Sequence, residues 1–442
     1  MRDRLKAASV WVFLLAALAL VCVPGPVAAQ SDEVITLRVL NYLDQSAAGI
    51  QREEAEIWDA FAAAYPNIRI EREDLFLEAF HQKTEAYAAA GQLPDVLYMW
   101  PGGRSTTLHV NRLVKDLTPL LGDAADEFSP AALVPQAGGY LGMIPIGLTS
   151  THVLFVNVKM LDELGLAVPE TYEDLVAMVP ALRAAGKEVI LMGAEDDWVV
   201  QSTLFSMIAG RLAGNEFFDA VLAGEAKFTD PPFVEALRFY RRLFDDGVLS
   251  VTSLLTPYGE AKPLFASGRA PFLVDGDWAT SAFLTDPATG EALIPPEEQH
   301  HYVLTVFPAI PGEKNSRTTS SLPGTGFGIN AAIPAGSAKE EAAWTLVQWL
   351  TSERAQQVRL ETGTAFPSRK GVTSQRLEPL ARARASFYGE YGGTYVLDDI
   401  FPSEVFGPIN VGLQEIGLGF STPEEVAATV QAAFDAWRST AR

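Results

Sequence analysis

Residues 34–100 read in the order strand, helix, strand, helix, strand, and that order constrains the fold more than any other feature of the chain. Val34 to Leu40 (VITLRVL) alternates apolar and polar residues, as a half-buried strand does. Gln51 to Tyr65 carries Ile57, Phe61 and Tyr65 on one helical stripe with Trp58 beside it, and Pro66-Asn67 stops it. Ile68 to Glu71 is a second strand, Phe76 to Ala90 a second helix ended by Gly91, and Pro94 to Trp100 a third strand. Strands alternating with helices predict an α/β fold with a mostly parallel sheet, helices covering both faces. Ligands of such sheets bind beyond the carboxyl ends of the strands. Two loops leave from those ends, Asn41 to Ser46 and Trp100 to Ser105.

A second set of signals starts after Met143. Val153 to Val158 is an apolar, β-branched run of strand length, and Met160 to Leu164 is a helical turn ended by Gly165. Thr171 and Asp174 have the spacing of a capping box, which starts a helix over Tyr172 to Ala185. Pro180 inside that helix should kink or divide it, at about 3 kcal/mol if it ran on unbroken. Val189 to Gly193 reads as a buried strand, 199–213 and 230–246 as helices, and Pro263 to Val274 as helix, glycine, strand. Tyr302 to Phe307 is a strand, Gly324 to Asn330 a glycine-rich extended piece, and Lys339 to Leu350 a helix. Residues 380–415 hold loops and short helices, and Glu424 to Arg438 forms a last helix with Thr422 as its cap.

The N-terminus stands apart from this pattern. Arg2, Arg4 and Lys6 precede the apolar run Val10 to Val23, and Pro24-Gly25-Pro26 leads to small residues at Val27-Ala28-Ala29. This is the layout of a secretory signal peptide over residues 1–29, cleaved before Gln30. The protein is therefore expected to be exported, to the periplasm or the cell exterior. Cys22, the one cysteine in the sequence, lies inside that segment, so disulfides, cysteine nucleophiles and thiolate metal sites are ruled out beyond it. A lipid anchor on Cys22 is the alternative fate of this segment, although Val21 is not the small residue expected before a lipidated cysteine. Removing Arg2, Arg4, Lys6 and Asp3 from 33 basic and 55 acidic residues leaves 30 and 54, a net charge of −24. So acidic a chain is unsuited to nucleic acid, whose phosphates need a basic face. The same charge leaves a cationic ligand open.

Enzyme signatures are scarce. The sequence has no phosphate-binding G-x-x-x-x-G-K-[ST] loop, no G-x-G-x-x-G, no H-E-x-x-H and no G-x-S-x-G. The Gly324–Gly328 run has the wrong spacing for phosphate and reads as a strand that another backbone approaches closely. His300-His301 reads as a solvated turn, and nothing calls for a metal or cofactor. What the chain does carry is aromatic residues beside hydrogen-bonding or charged ones at strand ends: Tyr42 with Asp44, Trp100 with Arg104, Trp198 with Asp197, and Trp278 with Asp277. A sugar offers an apolar C–H face and a rim of hydroxyls, which flat rings and oriented polar groups match. Tyr388, Tyr391 and Tyr395 are further candidates to line a cleft, whereas Trp58, Trp344 and Trp349 read as core.

Three stretches together resemble one family. They are Leu154-Phe155-Val156-Asn157 through Leu164-Gly165-Leu166 to Pro169-Glu170-Thr171-Tyr172-Glu173-Asp174-Leu175; Leu264 to Ala270 followed by Gly276-Asp277-Trp278; and Pro308 to Gly312, Gly326 to Ile329 and Ala342 to Leu350. They resemble the extracellular solute-binding proteins of ABC transporters, in particular the maltose-binding-like carbohydrate binders. Tyr172 stands where that family usually has Trp, and Val156 where it has Tyr.

The resemblance implies a two-lobed periplasmic-binding-protein fold of type II-like layout, with a hinge and a ligand between the lobes. It implies lobe 1 from 30–143 plus 308–352 and lobe 2 from 144–307 plus 353–442, entered through Met143–Gly147. It implies a monomer that binds a carbohydrate and hands it to a membrane permease, with Trp278 stacking on the sugar and the Arg104 loop touching it. Asp44, Trp100, Asp197 and Trp198 follow from loop position, Asp277 from its place beside Trp278, and Thr149 from its place after the crossing. A binding protein for another solute, such as a polyamine, and an exported glycan hydrolase stay open as alternatives.

Overall fold

The computed structural model describes residues 34–440, apart from 46, 48, 321, 389 and 390. The leader, its cleavage site and Cys22 lie outside the described residues. Two sheets organise the chain. The first has five strands in the order 68–75, 35–42, 96–99, 326–329, 144–145. The strand Ile35–Tyr42 runs parallel to Ile68–Leu75 and Val96–Met99, as the alternating pattern predicts, but Gly326–Ile329 joins antiparallel on the far side. The sheet is therefore mixed. Gly326 and Gly328 sit where a Cβ would come within 2.3 Å of the Ile144 carbonyl oxygen and 2.4 Å of the Met99 sulfur, so glycine is required by the closeness of neighbouring chain.

The second sheet has four strands in the order 190–191, 272–275, 153–157, 302–305. Val153–Asn157 is antiparallel to both neighbours and fully buried. Asn157 then caps the next helix by accepting a hydrogen bond from the Met160 N–H at 3.0 Å. The Thr171–Asp174 capping box forms in both directions, at 3.1 and 2.9 Å. Its helix, Tyr172–Ala184, runs on through Pro180 without a break. Tyr172, Leu175, Met178, Val179 and Leu182 bury one face of it in the core, and that burial outweighs the missing N–H. The region 380–415 is also more regular than expected, since Ser403–Leu418 is a single 16-residue helix.

Each sheet has its own cores. Leu37, Val39, Phe61, Val96, Phe327 and Leu346 belong to the first. Leu154, Leu182, Phe205, Leu237, Val274 and Phe434 belong to the second. Three segments pass between them side by side. Leu148–Thr149 pairs with Leu322–Pro323, and Leu148 also bridges to Phe366. Gly147 packs so tightly there that a Cβ would lie 2.5 Å from the Phe366 carbonyl oxygen.

Specific packing holds the segments on either side of these crossings. Phe307 and Ile310 lie in the second core, and the fully buried Arg211 donates to the Phe307 and Pro308 carbonyls at 2.8 and 3.0 Å and to Thr318. Residues 307–318 thus pack with the second sheet. The helix Glu353–Thr362 sends Ala355 and Val358 into the first core, and Thr362 and Thr364 donate to Glu53. Among the described residues, no helix is long and apolar enough to cross a membrane.

Candidate functional site between the two sheets

A cavity of about 680 Å³ lies between the two halves. Its first wall grows from the carboxyl ends of the parallel strands. Tyr42 ends one strand, and Tyr98 and Trp100 sit at the end of another. Tyr42 and Trp100 meet edge to face, with centroids 4.8 Å apart, and Tyr42 stacks with Tyr98 at 5.7 Å. Phe80 and His81, from the helix Glu78–Ala90, pack against Trp100 at 5.4 and 4.7 Å. Burial, reinforced by the nearby Arg104 guanidinium, drops the His81 pKa to about 3, so its ring is neutral.

The second wall carries Trp198, Tyr258 and Trp278. Trp198 lies 5.1 Å from Tyr258 and 6.4 Å from Trp278, centroid to centroid. Here hydrogen bonds fix the rings. The Trp278 indole N–H donates to the Tyr258 hydroxyl at 2.6 Å, and that hydroxyl donates to Asp275 at 3.2 Å. Lys262 stands 3.5 Å over the Tyr258 ring and 3.5 Å from Asp275. Burial pushes the Asp275 pKa up, and Lys262 draws it partly back. The Trp278 ring folds over Gly276, where a Cβ would meet it at 2.2 Å, so only glycine leaves room for it.

Asp44, Trp100, Arg104, Thr149, Asp197, Trp198 and Trp278 all line this cavity. Asp277 does not. It is 0% exposed and accepts from Arg384 (2.8 and 2.7 Å), Thr149 (3.0 Å), the Ser150 N–H (3.2 Å) and the Tyr388 hydroxyl. The short turn Asp277–Ala279 sends the carboxylate inward and the neighbouring indole outward, so Asp277 is a buried hub under the wall. Tyr388 belongs to that hub; Tyr391 lies by Arg317 and Tyr395 on Asp219, away from the cavity.

Arg104, which lines the cavity, is itself engaged across it. Its guanidinium reaches the other half of the molecule and binds Asp398 at 2.8 and 2.9 Å, where Ser202 also donates at 2.9 Å. Beside it, Gly102 and Gly103 let the backbones touch, since a Cβ on either would come within about 2 Å of Asp399 or the Phe401 carbonyl. Burial, and secondarily the Asp398 charge, raises the Asp399 pKa to about 7. On the same side Asn410 donates to Asp197 at 3.5 Å, and burial raises the Asp197 pKa.

Several lining residues escape a sequence reading. Tyr258 and Lys262 are 17 and 13 positions from Asp275, and only the fold brings them to it. Trp58, read as core, is half-buried and lines the cavity with Glu54 one helical turn before it. The i, i+4 spacing of acid and indole is visible in the sequence.

The family model described as bacterial extracellular solute-binding protein matches residues 47–357. A multiple sugar-binding protein of Streptococcus mutans is 23% identical over 236 residues, which is 51% of each chain. A probable sugar-binding periplasmic protein of Mesorhizobium japonicum is 23% identical over 145 residues, 31% of this chain and 33% of that one. The chain thus spans about half the length, or less, of these curated relatives. A solved chitin oligosaccharide binding protein superposes with a TM-score of 0.81 at 22% identity, covering 92% of this chain and 100% of that one. A maltose-bound MalE3 of T. maritima superposes at 0.72 and 20% identity, covering 91% and 99%. The likeness of these structures is one of fold: two α/β lobes around a cleft. Together with the match of the family model over most of its length, it shows that this chain belongs to the bacterial extracellular solute-binding protein family.

Proposed function

We propose that the protein is the exported receptor of an ABC transporter, which takes a sugar or oligosaccharide into its cleft and delivers it to the membrane permease. The observation that carries this reading is the pair of facing aromatic walls, Tyr42 and Trp100 against Trp198 and Trp278, with carboxylates and hydroxyls between them. Rings take the C–H faces of pyranoses, and the polar groups take their hydroxyls. The cavity is within the range of about 300–1,000 Å³ typical of small-molecule sites and has room for more than one sugar ring. The sugar-binding names of the relatives support the same ligand class. Asp44, Trp100, Arg104, Thr149, Asp197, Trp198 and Trp278 form the site, with Asp277 holding it from beneath.

The receptor acts as a monomer, reaches its place through the leader 1–29 and turns nothing over. A thermal-shift screen over mono- and oligosaccharides tests the reading, because a ligand bound only by the folded state must raise its melting temperature. At least one saccharide should raise it and be recovered intact; release of reducing ends would show a hydrolase instead. A polyamine is the second reading, favoured by the carboxylates of the cleft, and putrescine and spermidine belong in the same screen.

A further inference from the structure

Among the described residues, three cationic side chains line the cleft, and each is held by a carboxylate of the protein itself. Arg104 binds Asp398 at 2.8 Å. Lys262 lies between Asp275 and the face of Tyr258. Arg359, 4% exposed, faces Glu53 at 3.4 Å and donates to the Leu350 carbonyl at 2.5 Å. Further carboxylates line the same space, including Glu78, Glu195, Asp196, Asp197 and Asp399.

An anion entering this space meets carboxylates and finds cations already in use. To gain a partner it must break one of these pairs and leave a shielded carboxylate alone, which weakens its binding about 100-fold or more. A hydroxyl or ammonium group, by contrast, donates to the same carboxylates. We propose that the cleft selects by charge, accepting saccharides that are uncharged or carry a protonated amino group and shutting out those bearing carboxylate, sulfate or phosphate. This rests on the reading of the cleft as the ligand site and names the class of sugar it takes.

Titration calorimetry on the mature chain tests it with probes that differ mainly in charge. The set is β-1,4- and α-1,4-linked trimers of glucose and galactose, the same trimers oxidised at C6 to uronates, and chitotriose with its de-N-acetylated trimer. Spermidine and succinate complete it. For each backbone that binds, the uronate should bind at least about 100-fold more weakly than the neutral trimer. If chitotriose binds, its amine form should bind at least as tightly. Uronates within tenfold of the neutral trimers would overturn the charge rule and leave the saccharide reading standing. Spermidine binding with no saccharide and no succinate would sink the saccharide reading and keep the charge rule; binding by none of the set would sink both. The variant Asp398→Asn releases Arg104 into the cleft and should raise the affinity for the uronate trimers at least about tenfold. Unchanged exclusion in that variant would overturn the role given to the Arg104–Asp398 pair.

Discussion

Tyr42 and Trp100 on the first wall of the cleft stand among packed rings, Tyr98, Phe80 and His81, whereas Trp278 on the second wall hangs on a chain of hydrogen bonds through Tyr258 to Asp275. The first wall inherits its geometry from parallel strand ends, where neighbouring strands deliver their last side chains to the same edge. The second wall is assembled from a helix, a strand end and two turns in a sheet that is largely antiparallel, and buried polar groups fix its rings. A wall of packed rings loses little when one polar atom is removed. A wall braced by buried polar groups loses its shape.

The largest expected effect follows from the brace under the second wall. Arg384→Ala leaves Asp277 buried without its countercharge and should cost about 3–5 kcal/mol of stability, read by urea unfolding. A cost under about 1 kcal/mol would show that the wall does not depend on this pair.

Tyr258→Phe comes next. It removes the acceptor for the Trp278 indole and the donor to Asp275, at about 1–3 kcal/mol in stability, and lets the indole turn. The emission maximum of the folded variant should shift, and saccharide affinity should fall about tenfold; unchanged emission and affinity would dissolve the contrast between the walls.

The pair that joins the walls should have a smaller effect. Arg104→Asp and Asp398→Arg should each weaken binding of a neutral saccharide about five- to tenfold, and the double exchange should restore most of it. No recovery in the exchange would place the two residues out of contact in the bound state.

A further effect is on pH dependence. Asp399 titrates at about 7 instead of 3.8 because it is buried beside Asp398, so the folded state holds its proton over that interval. Stability from this proton is fully present below the ordinary value and is lost as pH rises through about 7. Asp399→Asn should flatten the fall in melting temperature between about pH 5 and pH 8; an unaltered profile would assign that fall to other groups.

The contrast between the walls also explains what could be read from the sequence. Tyr42 and Trp100 announce themselves, because a strand pattern ends at or just before each and the α/β order says where such ends point. The capping boxes at Thr171–Asp174 and Thr422–Glu425 are equally local, and both form. Tyr258 carries no local sign of its partnership with Asp275 and Trp278. The opposite fates of Asp277 and Trp278 depend on Arg384, 107 positions further on, which holds the Asp277 carboxylate beneath the wall. The packing of Phe307 and Pro308 with the second sheet depends on Arg211, more than 95 residues away in sequence from the carbonyls it holds. Contacts between distant segments decide each of these, and periodicity and capping say nothing about them.

The central claim is that one ligand is gripped by both walls at once. Titration calorimetry with the saccharide that most raises the melting temperature tests it, comparing the parent protein with Trp100→Ala and Trp278→Ala after circular dichroism shows both variants folded. Loss of at least about 100-fold in affinity from each variant is the predicted result, one ring being removed from each wall. Affinity retained within about threefold in both variants would contradict it.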